Sequence, residues 1–421
     1  MHFKKFTPFL AVLLGLATLR ADESPPAATL KLAEVLAEVR AKHPALSAVR
    51  HAADAAAGRA AVDGAWEDPR AALTFERDDT RRLSTYSKAE LEISQSLPFS
   101  GRNRARADVA RAEAREMLGE LPVRELDLLA AATEAYYALS TTEDEFDTLD
   151  RNHDLLAGIR DNLKQRFEAN RSPLSDLLAV ETELALLRER RFEVIGRRDS
   201  ARARLNVLMQ RPVDAPLPRA VTPEIPQKMP LLAHFLEQAR AHNPALALAA
   251  SRTATAESRS AVARLNTRPD PEVLFAVRKH NGSGRLINEY DTGIALSLPW
   301  ANPRRNRAER VSAERAIEAA RHEEAAAAQE VLGRVAAAWH SLAAFRDCCR
   351  LYRDTVIPLA RQGIEAAQRS FAAGQIPLSE VLDAQRRLLE AETGYIERQR
   401  EFFEGLVSLE SAIGTPNSLL P

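Results

Sequence analysis

An internal duplication limits the fold of this chain more than any other feature of its sequence. Four short motifs each occur twice, about 200 residues apart and in the same order. His43-Pro44-Ala45-Leu46 is matched at 243–246, Leu97-Pro98-Phe99 at 298–300, Arg102-Asn103-Arg104 at 305–307, and the segment 173–178 at 377–382. The offset grows from 200 to 204 residues, as expected when a duplicated unit collects small insertions. The sequence therefore predicts two structural repeats, at 22–210 and 231–416.

Two further segments lie outside these repeats. Residues 211–230 hold six prolines, which cannot continue a helix, so we expect an extended, proline-rich linker. At the N-terminus, Lys4 and Lys5 precede an apolar run over 6–19, the pattern of a secretory signal peptide at 1–21. A retained membrane anchor is the alternative, but the run is shorter than the roughly 20 apolar residues of a membrane-spanning helix. The mature chain should begin near Asp22, outside the cytoplasm.

Most of each repeat has helical composition. We expect helices over 30–65, over 102–169 with interruptions near Gly119 and Pro122, and over 175–209 after a break at 170–173. The stretch 123–169 alone would be roughly 70 Å long. Such a rod needs other helices beside it, as in a coiled coil or a helical cylinder. The predicted fold class is mainly α with a small β part.

Four short segments alternate apolar and polar residues with a period of two, which predicts strands at about 70–78, 88–98, 271–280 and 289–299. About ten residues is the length that a tilted β-strand needs to cross a bilayer. We therefore expect lipid-facing side chains at Leu73, Phe75, Leu91, Ile93, Phe275, Ile294 and Leu296, and interfacial aromatic side chains at Trp66, Phe99 and Trp300. The alternative is an ordinary soluble hairpin in each repeat, which alone would be marginally stable.

A membrane location would determine the oligomeric state. Unpaired strand edges are not tolerated in hydrocarbon, so four strands cannot form an open sheet there. Several chains would have to combine their strands into one closed barrel.

Composition excludes several other classes of protein. A net charge of −1 lacks the basic surplus of a nucleic-acid binder. The two cysteines, Cys348 and Cys349, are adjacent, and the strain of a vicinal bridge favours packing over a redox role. The nine histidines show no metal-binding spacing, and no catalytic constellation is evident. We expect no metal site, no cofactor and no enzymatic activity.

The duplicated unit resembles the TolC family of outer-membrane efflux ducts over essentially the whole mature chain. Segments 166–170 and 173–176 resemble the family's first periplasmic helix turn, and 371–384 resembles the second. Residues 94–99 with Gly101-Arg102 are similar to the exit from the strands in the branch that exports metal cations. The resemblance implies a homotrimer with four strands per chain in a twelve-stranded barrel, continued by a helical tunnel into the periplasm.

The resemblance also implies a periplasmic gate. It assigns Glu380 and Asp383 to the narrow end of the tunnel, where a trimer would form rings of carboxylates, and Asp176 to the closing contacts. The alternative to a gating role is a purely structural one, in which Ser175-Asp176 and Ser379-Glu380 cap the starts of two helices. The chain departs from the family pattern at the closing contacts, where it has Phe371, Ile376 and Gln399 in place of a tyrosine and basic residues.

The expected function is that of a passive exit duct for substrates delivered by an inner-membrane pump, with the RND type favoured, through a periplasmic adaptor. Heavy-metal cations are our first choice of substrate, and a drug or type I secretion duct is the second. From a different class, the chain could be a periplasmic coiled-coil structural protein whose hairpins never contact outer-membrane lipid.

Overall fold

The computed structural model describes residues 29–77, 86–282, 284–287 and 289–416, so the predicted signal peptide lies outside the described residues. In chain order the elements are α1 (Leu32–Lys42), α2 (Pro44–Gly64), β1 (Arg70–Glu76), β2 (Lys88–Ser96), α3 (Arg102–Glu168), α4 (Leu174–Leu208), α5 (Leu232–His242), α6 (Pro244–Leu265), β3 (Pro271–His280), β4 (Glu289–Leu296), α7 (Pro303–Leu351), α8 (Ile357–Ala372) and α9 (Leu378–Ile413). A 3₁₀ turn at Pro299–Ala301 precedes α7, and a π-helix at Tyr352–Val356 joins α7 to α8.

Both halves of the chain follow one order, with two helices, two strands and then long antiparallel helices. The rod α3 of the first half corresponds to α7, the π-helix and α8 in the second. The four strands form one antiparallel sheet in the order β1-β2-β3-β4. The two hairpins therefore join through β2 and β3, which brings both halves into a single sheet.

Two helix predictions are wrong in detail. The helix predicted over 30–65 is divided, because His43 is extended (φ −70°, ψ 121°) and Pro44 begins α2. A residue before proline avoids the helical conformation. Conversely, α3 runs without interruption through Gly119 and Pro122 for 67 residues, about 100 Å. Packing of α2 and α6 along α3 outweighs the cost of one internal proline, which is about 3 kcal/mol.

Directly beyond the sheet, α2, α3, α6 and α7 form a layer of four helices. Each is continuous with one strand, and α3 packs between α2 and α6 while α7 packs on α6. Small side chains permit the close approach: Ala107 is buried, and a Cβ atom on Gly64 would lie 3.1 Å from the Ala107 Cβ. This packing extends each strand of the sheet into a helix of the layer.

Two hydrophobic cores stabilise the helices. The first lies nearer the sheet and includes α1, α5, the middle of α3 and the end of α9; Tyr137 and Phe403 stack there with ring centroids 4.3 Å apart. The second lies toward the far ends of α3, α4, α8 and α9, and it includes Leu163, Val180 and Val381. Among the described residues, no helix combines the length and the hydrophobicity that crossing a membrane requires.

The segment 211–230 crosses the first core in an extended conformation. Leu30 donates its backbone N–H to the Arg219 carbonyl at 2.8 Å, and Ala220 donates its own to Glu143 Oε2 at 2.9 Å. Arg219 also bonds Asp147 on α3 at 2.5 Å. Burial raises the pKa of Glu143, and Arg219 opposes this shift. These contacts hold the segment between the repeats against α3.

Candidate functional site

One face of the sheet carries apolar side chains on all four strands. The register places Leu73 opposite Leu91 and Ile93 opposite Phe275, and residues paired in register project to the same face. All seven predicted lipid-facing residues project to this apolar sheet face and are 40–75% exposed: Leu73, Phe75, Leu91, Ile93, Phe275, Ile294 and Leu296. An exposed apolar face that extends over four strands is typical of an interaction surface.

The opposite face of the sheet is charged. Lys88 lies 3.7 Å from Glu76 and 2.9 Å from Glu90, and Arg278 lies 3.0 Å from Glu90. Arg278 also pairs with Asp291, so the ion pairs connect side chains on all four strands. We call this surface the polar sheet face.

The sheet has two open edges. Within the described part of the chain, no strand pairs with the outer edge of β1 or of β4. Unpaired backbone N–H and C=O groups at such edges are templates for pairing with another chain. The edges therefore point to a partner with strands of its own.

The three predicted interfacial aromatic residues lie at one end of the sheet. Trp66 precedes β1, Phe99 follows β2 and Trp300 follows β4, each in a segment that joins a strand to a helix. Their side chains are 58%, 71% and 54% exposed. Exposed aromatic side chains at the rim of an apolar band are typical of a membrane interface.

At the far end of the molecule, α3 turns into α4. Asn170 has a left-handed backbone (φ 57°), and Pro173 is the N-cap of α4 without a side-chain hydrogen bond to the helix. The predicted serine cap is therefore wrong at Ser175, which lies inside the first turn with Asp176. Asp176 accepts a hydrogen bond from Ser172 Oγ at 3.3 Å.

The second turn, between α8 and α9, has the same form. Gly374 has φ 75°, and Pro377 caps α9, so Ser379 is again inside the first turn and not the cap. Glu380 and Asp383 are both exposed and, three residues apart on a helix, lie on one side of α9. The structure thus places both carboxylates at the surface of the second turn.

Asp383 also has a partner in Arg386, which was not among the predicted site residues. Arg386 Nη1 lies 3.0 Å from Asp383 Oδ1, and the same guanidinium pairs with Glu183 of α4. The spacing of three residues between Asp383 and Arg386 on a predicted helix could have indicated this ion pair from the sequence. The pairing with Glu183 joins the two repeats across about 200 residues, and no local pattern could have revealed it.

The two turns meet through Arg166 and Phe371. The Arg166 guanidinium lies 5.2 Å from the centre of the Phe371 ring, within the range of a cation–π contact. Ile376 packs against the second core, and Gln399 Nε2 donates to the Tyr395 hydroxyl at 3.2 Å. At the three positions that depart from the family pattern, the chain therefore has a cation–π contact, an apolar contact and a hydrogen bond between neutral groups.

The cysteines differ from each other. Both thiols are free; Cys349 is buried, as expected for a packing residue, whereas Cys348 is exposed. Burial raises the pKa of Cys349 to about 12, so its thiol stays protonated at neutral pH. No group of three His, Cys, Asp or Glu side chains within the described ranges is arranged to hold a metal ion.

Comparison with known proteins identifies the family. The Outer membrane efflux protein family matches residues 35–209 and again residues 235–415, one match in each half of the chain. The chain therefore belongs to the outer membrane efflux protein family.

Individual relatives agree with this assignment. The cobalt-zinc-cadmium resistance protein CzcC of Cupriavidus metallidurans is 24% identical over 80% of this chain and 79% of its own. The outer membrane protein TolC of Vibrio cholerae is 23% identical over the same shares. The solved structure of the outer-membrane channel OprN superposes with a TM-score of 0.76 at 18% identity, covering 91% of this chain and 89% of that one.

The family assignment confirms several predictions. The fold is that of the TolC-like channels, the protein is an outer-membrane efflux channel that extends into the periplasm, and it is not an enzyme. These conclusions agree with an apolar sheet face at one end of the molecule and long helices with exposed polar faces at the other.

Proposed function

We propose that three copies of this chain form a passive exit duct. The observation that carries the proposal is the four-stranded sheet with one exposed apolar face and two unpaired edges. Pairing β4 of one protomer with β1 of the next leaves no edge, and three protomers give a closed barrel of twelve strands. The apolar face contacts lipid, and the polar sheet face lines the lumen.

The helices continue this duct into the periplasm. Because α2, α3, α6 and α7 each continue a strand, three protomers place twelve helices in a second cylinder beneath the barrel. Substrate enters at the α3–α4 and α8–α9 turns, delivered by an inner-membrane pump, which we take to be of the RND type, and a periplasmic adaptor.

Heavy-metal cations are the substrate that we favour. The relative CzcC is named for cobalt, zinc and cadmium resistance, and it aligns over most of this chain. Glu380 and Asp383 are exposed at the second turn, as a cation-attracting ring would require. Asp176 lies at the neighbouring turn, where it contributes to the closed state together with the Arg166–Phe371 contact.

Ion selectivity tests the gate. Asp383→Ala should lower the cation-to-anion permeability ratio and the block by Co²⁺ in planar bilayers, because it removes a carboxylate and leaves Arg386 with Glu183 alone. The control is Glu404→Ala, an exposed carboxylate about six turns further along α9. If Asp383→Ala conducts with unaltered selectivity and block, this residue does not belong to the gate.

A deletion strain separates the substrate classes. We expect loss of the protein to increase sensitivity to cobalt, zinc and cadmium and to leave tolerance of drugs unchanged. The reverse result would favour a drug or type I secretion duct. Recovery of the protein as a water-soluble monomer would instead favour a periplasmic coiled-coil scaffold and would contradict the duct altogether.

A further inference from the structure

Four arginines that form no ion pair with a described residue lie on the outside of the helix layer, just beyond the aromatic rim. They are Arg104 on α3, Arg264 on α6, and Arg307 and Arg310 on α7. All are exposed, and none forms an ion pair with another described residue. We call them the arginine collar. Arg104 and Arg307 are equivalent positions of the two repeats, so the feature is present in both halves.

The side of the layer on which the collar lies follows from a cavity of about 350 Å³ beneath the polar sheet face. This cavity is lined by polar-face residues such as Ser94 and Glu272, and also by Arg106 of α3. Arg104 precedes Arg106 by two residues, about 200° around the helix. Arg104 therefore projects from the opposite side of the layer, the side of the apolar sheet face.

Ion pairs between helices extend this assignment to α6. Glu113 lies about 180° from Arg104 on α3, so it projects from the side of the helix layer that continues the polar sheet face. Glu113 pairs at 2.8 Å with Arg259 of α6, so Arg259 is on that side as well. Glu257 is two residues before Arg259, about 200° around the helix, so it projects from the opposite side of the layer, the side of the apolar sheet face. We call this the outer side. Arg264 is seven residues after Glu257, within about 20° of the same direction, so it is on the outer side too.

The same reasoning places the arginines of α7. Glu257 pairs at 2.8 Å with Arg321 of α7, which puts Arg321 on the outer side. Arg310 and Arg307 are eleven and fourteen residues before Arg321, within about 40° of the same helix face. The outer side also carries Asp108, paired with Arg111 at 2.6 Å, and the exposed Glu314 one turn beyond Arg310.

The helix dipole explains an arginine at position 264, in the last turn of α6, but not at the other three positions. Arg104 lies in the first turn of α3, which holds no acidic residue, and the positive end of the helix dipole disfavours a cation there. Residues that violate a local rule without compensation inside the chain are expected where something outside the chain supplies it.

The order of side chains along the axis indicates what supplies it. The apolar sheet face comes first, then exposed Phe99 and Trp300, then Arg104 and Arg307 within roughly 10 Å along the helices, with Arg310 about one turn further. A bilayer has the same order of hydrocarbon, interface and phosphate, and its headgroup region is about 5–7 Å thick on each side. We propose that the arginine collar binds the phosphates of anionic phospholipids in the periplasmic leaflet of the outer membrane, an inference that rests on the proposed barrel.

The tryptophans beside the collar give a direct test. The full-length protein in mixed micelles is titrated with brominated phosphatidylglycerol or brominated phosphatidylcholine, and quenching of tryptophan fluorescence reports lipid near Trp300 and Trp66. We expect several-fold stronger apparent binding of phosphatidylglycerol, weakened by salt. Arg104→Gln should lower it about fivefold, since an arginine at an anionic surface contributes about that factor.

The control is two residues away on the same helix. Arg106→Gln removes the same charge from the side that continues the polar sheet face and should leave the quenching unchanged, and Arg104→Lys should retain most of the preference. Equal quenching by both lipids in the wild-type protein, or equal losses in Arg104→Gln and Arg106→Gln, would overturn the proposal. If Arg104→Gln does not assemble, the salt titration of the wild-type protein and Arg104→Lys still decide it.

Conductance is recorded on the same preparation. A conducting trimer without lipid preference would reject the arginine collar and leave the proposed duct intact. A preparation that neither assembles nor conducts would reject both.

Discussion

At the residue scale, long-range ion pairs attach the linker to the repeats. Arg211, the first residue of the linker, donates to Glu38 of α1 from Nε and Nη2, the latter at 2.5 Å from Oε2, and Lys42 lies 2.7 Å from Oε1. The hydrogen bonds from Arg211, assisted by Lys42, hold the pKa of Glu38 below its ordinary value. A depressed carboxyl pKa stabilises the fold above the unfolded-state pKa, and this stabilisation is lost as the pH falls through the folded-state pKa.

Glu38→Gln should therefore destabilise the protein at neutral pH and not in acid. We expect a loss of about 1–2 kcal/mol at pH 7, measured as a lower melting temperature in detergent. The difference from the wild-type protein should narrow as the pH falls below about 4. Glu34→Gln, an exposed change on the same helix, is the control and should show no such narrowing. A pH-independent difference for Glu38→Gln would rule out this ion pair as its cause.

Residues that follow a local period were predictable, and residues that meet through the fold were not. The seven apolar positions of the strands follow a period of two, and all seven project to one face of the sheet. Phe371 was recognised only as a departure from the family pattern. Its contact with Arg166 joins residues more than 200 positions apart, which neither helix encodes alone.

At the element scale, two glycines end helices in the left-handed conformation but differ in their surroundings. Gly374, after α8, has φ 75° and open space where a Cβ would be. Gly414, after α9, has φ 92°, and a Cβ there would lie 2.7 Å from the Asn243 Cα and from the Pro244 Cδ. Asn243 Nδ2 also donates to the Ala412 carbonyl at 2.7 Å, so this contact fixes the end of α9 against the start of α6.

Substituting alanine at each glycine measures this difference. Gly374→Ala should cost only the left-handed backbone strain, about 1–2 kcal/mol. Gly414→Ala should cost about 1–3 kcal/mol more, because backbone atoms of the α5–α6 turn have to move. Thermal melting of both variants in detergent provides the comparison, and equal losses would show that the contact at Gly414 yields easily.

The type of each secondary-structure element was easier to predict from the sequence than the residues at which it begins and ends. The His43-Pro44 and Asn243-Pro244 pairs mark the junctions of α1 with α2 and of α5 with α6, although a continuous helix was predicted across the first pair. Serine before an acidic residue suggested a cap at two helix starts, yet Pro173 and Pro377 occupy those positions. A proline one residue before each helix defines its start by fixing φ, without any side-chain hydrogen bond.

At the scale of the whole molecule, the chain supplies a third of a barrel. The requirement for a closed sheet followed from the sequence, because alternating strands without a core to cover them need lipid on one face and neighbours at both edges. The pairing of β2 with β3 did not follow from the sequence, since it depends on how the two repeats pack on each other through α3 and α6.

Adjacent residues of β1 test the two faces of that barrel. Leu73→Arg places a charge on the apolar sheet face and should cost about 2–4 kcal/mol if the site lies near the middle of the bilayer. Thr74→Arg adds the same side chain to the polar sheet face, opposite Glu90, and should be nearly neutral. The yield of heat-sensitive trimer in outer-membrane fractions is the measurement. Equal yields from the two variants would refute a lipid-facing Leu73.

The π-helix at Tyr352–Val356 matches a difference of one residue in length between the two repeats. Between Arg104/Arg307 and Pro173/Pro377, the offset between the repeats increases by one residue, from 203 to 204. A π-turn holds one residue more than the α-helical turn it replaces, so it absorbs such an insertion without displacing the helix on either side. Two identical repeats would give three chains approximate sixfold symmetry. In the proposed trimer, the extra residue at the π-helix is one of the differences between the repeats that lower this symmetry to threefold.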